Sequence, residues 1–172
     1  MDQLTEAEVR DSFINCSKGD AKKLTLPGPA AEVQWDQLDF LGWRDPKAPE
    51  RGYIVAPWRG RIVGVALRSS TKSGKSLMKS TMCSICLTVH ASSGVSLFAA
   101  PRAGSSGREG NSVGTYICTD LQCSRYVRGD LVSEAFVSLG ETIEPQVKIV
   151  RLRQQIDQFV SRIAGDLVNI ET

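Results

Sequence analysis

The stretch Met82-Cys83-Ser84-Ile85-Cys86 and, 31 residues beyond it, Cys118-Thr119-Asp120-Leu121-Gln122-Cys123 hold four of the chain's five cysteines. Two close cysteine pairs suit a structural zinc site, because each short loop fixes two sulfurs and folding joins the pairs into a tetrahedron. Cys83-x2-Cys86 is a standard knuckle, whereas Cys118-x4-Cys123 is wider than the commoner x2. A redox Cys-x-x-Cys would need no second pair and sits at the start of a helix in a thioredoxin-like unit. Four unrelated buried cysteines are the bland reading. The paired spacing favours zinc over both. His90, the single histidine, follows Cys86 by four residues and is an alternative ligand or a hydrogen-bonding neighbour of the site. Four thiolates leave no open coordination position, so the metal is expected to be structural rather than catalytic.

Working outward, Gly52 to Trp58, a tight turn at Arg59-Gly60-Arg61, and Ile62 to Arg68 read as a β-hairpin rich in β-branched residues. Gly94 to Ala100 and Val113 to Cys118 read as strands, and residues 101–112 as a mobile Gly/Ser-rich loop. Val147, Ile149, Leu152, Ile156, Phe159, Val160, Ile163 and Leu167 recur at spacings of three and four, which predicts an amphipathic helix from about Pro145 to Val168. Pro145 suits its first turn. At the other end, Leu4, Val9, Phe13 and Ile14 share a face of a helix over 4–16, with Thr5 as N-cap and Glu8 completing a capping box. Cys16 belongs to that helix as a buried small hydrophobe. Trp35 and Trp43 read as core anchors of an irregular segment between helix and hairpin.

With 172 residues, 41% hydrophobic and 23% charged, the chain has a globular composition, not a disordered one. No run of ~18 apolar residues is present, and the acidic, amphipathic N-terminus is unlike a signal peptide. A cytoplasmic location without a membrane partner is the expectation. Net charge is only +2, yet residues 51–108 hold nine bases and no Asp or Glu. The flanking segments are acidic, with ten acids against six bases in 1–50 and nine against six in 109–172. An acid-free block of this length is either a solvated surface or the footprint of an anionic partner. Gly74-Lys75-Ser76 lacks the glycine five residues earlier that a phosphate loop needs, since Ser69 stands there. The lone histidine lies beside the cysteines and the central block offers no carboxylate, so no acid/base or triad chemistry is legible and a binding module is favoured over an enzyme.

The ordered set Trp43, Tyr53-Ile54-Val55, Cys83 to Cys86, Gly114-Thr-Tyr-Ile-Cys118 through Cys123-Ser-Arg-Tyr-Val-Arg-Gly129, and Arg151 to Phe159 resembles the C-terminal treble-clef zinc-finger domain of the elongation factor G-binding proteins. That family includes the FusB-type proteins of fusidic acid resistance. The similarity runs from about residue 35 to 168, and the second cysteine block followed by Tyr-Val-Arg-Gly is its most specific part. The resemblance implies an α+β fold with a small antiparallel sheet, a treble-clef-like four-cysteine zinc finger, an N-terminal helix and a long C-terminal helix. It implies one structural zinc on Cys83, Cys86, Cys118 and Cys123. It also implies binding to elongation factor G and release of that factor from stalled ribosomes. Leu87, Arg125, Tyr126 and Arg128 match the positions of the family's partner contacts. The expected organisation is an N-terminal helical segment over 1–30 and a zinc-finger, factor-binding domain over 31–172, acting as a monomer. Long family members carry a separate N-terminal helical bundle, whereas about 30 residues precede the shared region here. The competing reading is a zinc-ribbon-like RNA- or ribosome-binding module, in which ribosomal RNA meets the basic residues and stacks on Tyr126 and Phe98.

Overall fold

Burial of both faces of two long central strands sets the architecture. β1 (Leu41–Arg44), β2 (Arg51–Trp58), β3 (Arg61–Ser69), and further along the chain β6 (Val95–Pro101) and β7 (Ser112–Cys118), form an antiparallel sheet in the order β1-β2-β3-β6-β7. The short strands β4 (Ser80–Met82) and β5 (Val89–Ala91) pair as a separate hairpin. Helices α1 (Glu6–Asp11) and α2 (Lys18–Lys22) precede the sheet, α3 (Gly104–Arg108) links β6 to β7, and α4 (Cys123–Arg128) and α5 (Pro145–Ala164) follow. The computed structural model describes residues 1–69, 80–91, 93–133 and 143–165. Lys72, Lys75, Lys79, the Gly74-Lys75-Ser76 stretch and Leu167 and Val168 lie outside these.

The expected hairpin forms with Trp58 paired to Arg61, so Arg59 and Gly60 make a two-residue turn. Both adopt left-handed backbone, with φ 49° and 76°, the geometry whose twist matches that of the flanking strands. Ile54, Ala56, Trp58, Val63, Val65 and Leu67 project to one face. There α5 buries Leu152, Ile156, Phe159, Val160 and Ile163, and Trp58 Nε1 donates to Ser161 Oγ at 2.9 Å. Tyr53, Val55, Leu41 and Trp43 project to the opposite face, which the N-terminal segment covers with Leu4, Val9, Leu24 and Trp35. Both expected tryptophan anchors are buried, their indole N–H groups donating to Ala30 and Thr25 carbonyls at 2.8 Å. Trp43 lies on a strand rather than in an irregular segment.

Three local expectations fail for identifiable reasons. The first helix has its Thr5–Glu8 capping box but stops at Asp11. Backbone groups of β3 that β6 does not reach capture the following residues instead. Gly64 N donates to Ser12 O at 2.8 Å, Ile14 N donates to Gly64 O at 3.0 Å, and the Asn15 amide takes both backbone groups of Ala66. Cys16 therefore lies between two helices and is half-buried, its thiol pKa raised by burial and then by Asp20. The segment expected as a mobile loop carries α3, tied to α5 by Ala103 N donating to Ile163 O at 2.9 Å. Val147, counted in the apolar repeat of α5, is exposed, because the first turn of that helix extends beyond the sheet contact. No helix among the described residues is long and apolar enough to cross a membrane.

Phe159 is fully buried and its neighbour Gln158 exposed. Phe159→Ala should cost ~3–5 kcal/mol, a fall in Tm of about 10 °C for a chain of this size. Gln158→Ala should change Tm by about 1 °C or less. Calorimetry showing equal shifts would place the wrong face of α5 on the sheet.

Candidate metal centre

Four elements each deliver one thiol. Cys83 follows β4, Cys86 ends the turn that begins at Ser84, Cys118 closes β7, and Cys123 opens α4. All four residues are buried, and their sulfurs lie within 4.8 Å of one another. Cys83 and Cys123 Sγ are 3.8 Å apart, Cys86 and Cys118 Sγ 3.5 Å. A zinc ion with Zn–S bonds of about 2.3 Å spaces its sulfurs by about 3.8 Å along each tetrahedral edge. The donor set fits zinc in number, softness and spacing, and the expected ligands are brought together without exception.

The surroundings supply the second layer of contacts that a thiolate site needs. Ile85 N and Cys86 N donate to Cys83 Sγ at 3.4 and 3.3 Å. Thr88 Oγ1 stands 3.3 Å from Cys86 Sγ. His90 is buried with Nε2 3.3 Å from Cys118 Sγ. It is thus a hydrogen-bonding neighbour of a ligand, and Nε2 carries the proton when that sulfur is a thiolate. Gly94 makes its position possible, since a Cβ there would lie 2.5 Å from His90 Cβ. Tyr126 packs edge-on against His90 with ring centroids 4.6 Å apart and donates its hydroxyl to Asp120 Oδ2 at 2.9 Å. Burial first, then that hydrogen bond and the Asp120 charge, hold the phenol well above its ordinary pKa.

The remaining candidate contacts separate by environment. Leu87 is half-exposed at the end of the first knuckle, Arg125 is exposed on α4, and Tyr126 is half-buried against the core. Arg128 turns inward, its guanidinium forming a bidentate pair with Asp39, whose side chain has no exposed surface. Arg153 Nε donates to the same carboxylate at 2.8 Å. Asp39 thus fastens α4 and α5 to the segment entering β1, and Ser124 Oγ accepts from Asp39 N at 3.0 Å beside it. Sequence reasoning missed this cluster. Its signal was an acid inside the apolar run Leu38-Asp39-Phe40-Leu41. Phe98 is fully buried, which removes one of the two rings on which RNA bases were expected to stack.

Without the metal, burial pushes the Cys123 thiol well up and neighbouring sulfurs add to the effect, while hydrogen bonds from Cys118, Cys123 and Cys83 lower Cys86. Zinc capture therefore releases protons, and occupancy and stability should fall together as pH falls. Metal analysis should find one zinc per chain, lost in Cys83→Ser or Cys118→Ser and retained in Cys16→Ser. Zinc-free protein purified under reducing, chelator-free conditions would refute the site. Asp39→Asn removes a buried charge from between two arginines and should cost about 3 kcal/mol or more with zinc content unchanged at neutral pH. Denaturant titration measures this, and a loss below about 1 kcal/mol, the range of an exposed pair, would show that Asp39 does not fasten the helices.

The sequence matches no curated protein. A solved structure of the fusidic acid resistance protein FusC is similar, with 19% sequence identity and a TM-score of 0.46 over 83% of this chain and 51% of that one. The chain thus spans about half the length of that protein. The family model of the FBP C-terminal treble-clef zinc-finger matches residues 8–163, a span that includes all four cysteines, the whole sheet and nearly all of α5. With its thiols set at zinc spacing by a β-hairpin and a helix start, the chain belongs to the FBP C-terminal treble-clef zinc-finger family.

Proposed function

We propose that this chain is a binding protein rather than a catalyst, that it engages elongation factor G through the surface around its zinc site, and that it thereby promotes the factor's release from stalled ribosomes in the cytoplasm. Leu87 carries this reading. It adopts φ 59°, a left-handed conformation that costs a bulky residue ~1–3 kcal/mol and glycine almost nothing. Leu121, at φ 61°, is strained in the same way, but its side chain fills the core and is 1% exposed. Leu87 is half-exposed and joins neither core cluster. A leucine placed where glycine is easier, only partly buried and outside both core clusters beside a rigid metal site, is explained by contact with a partner.

The neighbouring chemistry supports the same surface. Arg125 forms no ion pair among the described residues, and Tyr126 presents part of its ring beside it. An apolar group, an aromatic ring and a guanidinium on a rigid frame are the residue types that dominate interface energetics. Arg128, engaged by Asp39, serves this surface by holding α4 in place. The closed four-thiolate shell offers a substrate no coordination position, which favours binding over catalysis.

Calorimetric titration with elongation factor G tests the proposal. Leu87→Gly should keep zinc and thermal stability and bind the factor about tenfold more weakly, ~1.4 kcal/mol. Tyr126→Ala should lose ~2 kcal/mol or more, the scale of a hot spot, and Arg125→Glu should slow association in a salt-dependent way. No complex at micromolar concentrations, or wild-type affinity in Leu87→Gly, would overturn the proposal.

A further inference from the structure

The basic side chains of the acid-free block have no part in the metal centre, and the structure brings Arg59 and Arg102 of that block to the far end of the sheet. Arg102, which follows β6, and Arg162, in the last turn of α5, line a shallow hollow of ≈ 520 Å³ with Ser106, Asn111, Ser112 and Gly114. Among the described residues no carboxylate lines this hollow. Backbone bonds bring its walls together: Arg102 N donates to Asn111 O, and Ala103 N to Ile163 O, each at 2.9 Å. Both arginines are exposed, and neither forms an ion pair among the described residues. Arg162 lies over the Phe159 ring at 5.8 Å. Arg59, from the β2–β3 turn, lies over Trp58 at 5.0 Å, and the Trp58 indole is bonded to Ser161, the residue before Arg162. A guanidinium held on an aromatic face keeps its planar fork of donors available to an anion.

We propose that this hollow, flanked by Arg59, binds the phosphodiester backbone of folded RNA at a site separate from the zinc-bearing surface. Arginine forks with serine and asparagine donors match the contacts that phosphates receive. Among the described lining residues the one apolar side chain, Val113, is itself buried, so the described lining offers no apolar anchor of the kind a protein interface is built around. Trp58 and Phe98 are both buried and offer bases no ring; the exposed ring on this side is Tyr116, two residues beyond Gly114 on the same face of β7. Within the hollow, whose described lining has no aromatic residue, recognition rests on charge and shape, as it does for duplex RNA. The carboxyl end of α5 carries a partial negative charge that opposes an anion, which makes the arginine side chains the source of the attraction. β7 runs from Ser112 in the hollow to Cys118 at the metal. Six residue steps of about 3.3 Å separate the two surfaces by about 20 Å, so both can be occupied at once.

Fluorescence anisotropy with a labelled RNA hairpin, read across roughly 50–200 mM salt, tests this. Wild type should bind with a linear log–log salt dependence. The double variant Arg102→Gln/Arg162→Gln should bind at least about tenfold more weakly, with a slope smaller by about two charges. Lys22→Gln, on the exposed end of α2, should behave as wild type. Zinc content of each variant reports that the fold is intact, and the single variants replace the double one if it fails to fold. Inorganic phosphate and polyglutamate serve as competitors. The proposal falls if wild type shows no RNA binding at micromolar concentrations, if the arginine variants bind unchanged, or if Lys22→Gln loses as much as they do. It also falls if polyglutamate displaces the RNA at equal charge concentration, which marks an acidic-protein site, or if inorganic phosphate binds and RNA does not.

Discussion

Four sulfurs that must meet within one tetrahedron constrain most of the residues between 80 and 130. β4 and β5 have three residues each and α4 has six, lengths at which isolated strands and helices do not persist in water. Binding of zinc to such sites is worth roughly 10–16 kcal/mol in small zinc-finger peptides, comparable to or larger than the whole net stability of a domain. The metal thus sets the positions of β4, the end of β7 and the start of α4, and with them His90, Tyr126 and Asp120. Two leucines bear the backbone cost of this closure. Leu121 returns it through burial in the core, and Leu87 does not.

Asp39 extends the reach of the metal site. A carboxylate without solvent contact is costly to bury unless its charge is matched. Here two guanidinium groups from different helices match it, Arg128 on the helix that Cys123 opens and Arg153 on α5. The zinc helix, the long helix and the entry to β1 are held by one charge. A change at the metal is therefore felt at α5, and through α5 on the central face of the sheet.

The sequence was most legible where one local rule decides the outcome. The cysteine spacing identified the ligands, the β-branched run from Tyr53 to Leu67 identified the hairpin, and the three-and-four spacing from Ile149 to Ile163 identified the buried face of α5. It was least legible where distant partners override local preference. Residues 12–16 carry helical periodicity but are captured by unpaired groups of β3. β1 is short and reads as irregular until β2 is beside it. α4 is hidden because its first turn is fixed by a metal ligand rather than by a cap. Asp39 was the most telling omission, since its role exists only once Arg128 and Arg153 converge from 89 and 114 residues away.

The docking of residues 12–15 onto β3 bears on how the molecule avoids association with itself. Among the described residues β3 and β6 pair at Arg68 with Ala99 and Ser69 with Phe98 alone, so most of the β3 flank facing β6 would otherwise present open amide and carbonyl groups. Exposed strand edges of this kind template intermolecular sheet growth. Ser12, Ile14 and Asn15 occupy those groups at Gly64 and Ala66, and the segment around them covers Tyr53, Val55 and Trp43. The N-terminal segment thereby acts as a guard against aggregation, shielding a sticky seam that the strand order leaves in the middle of the sheet.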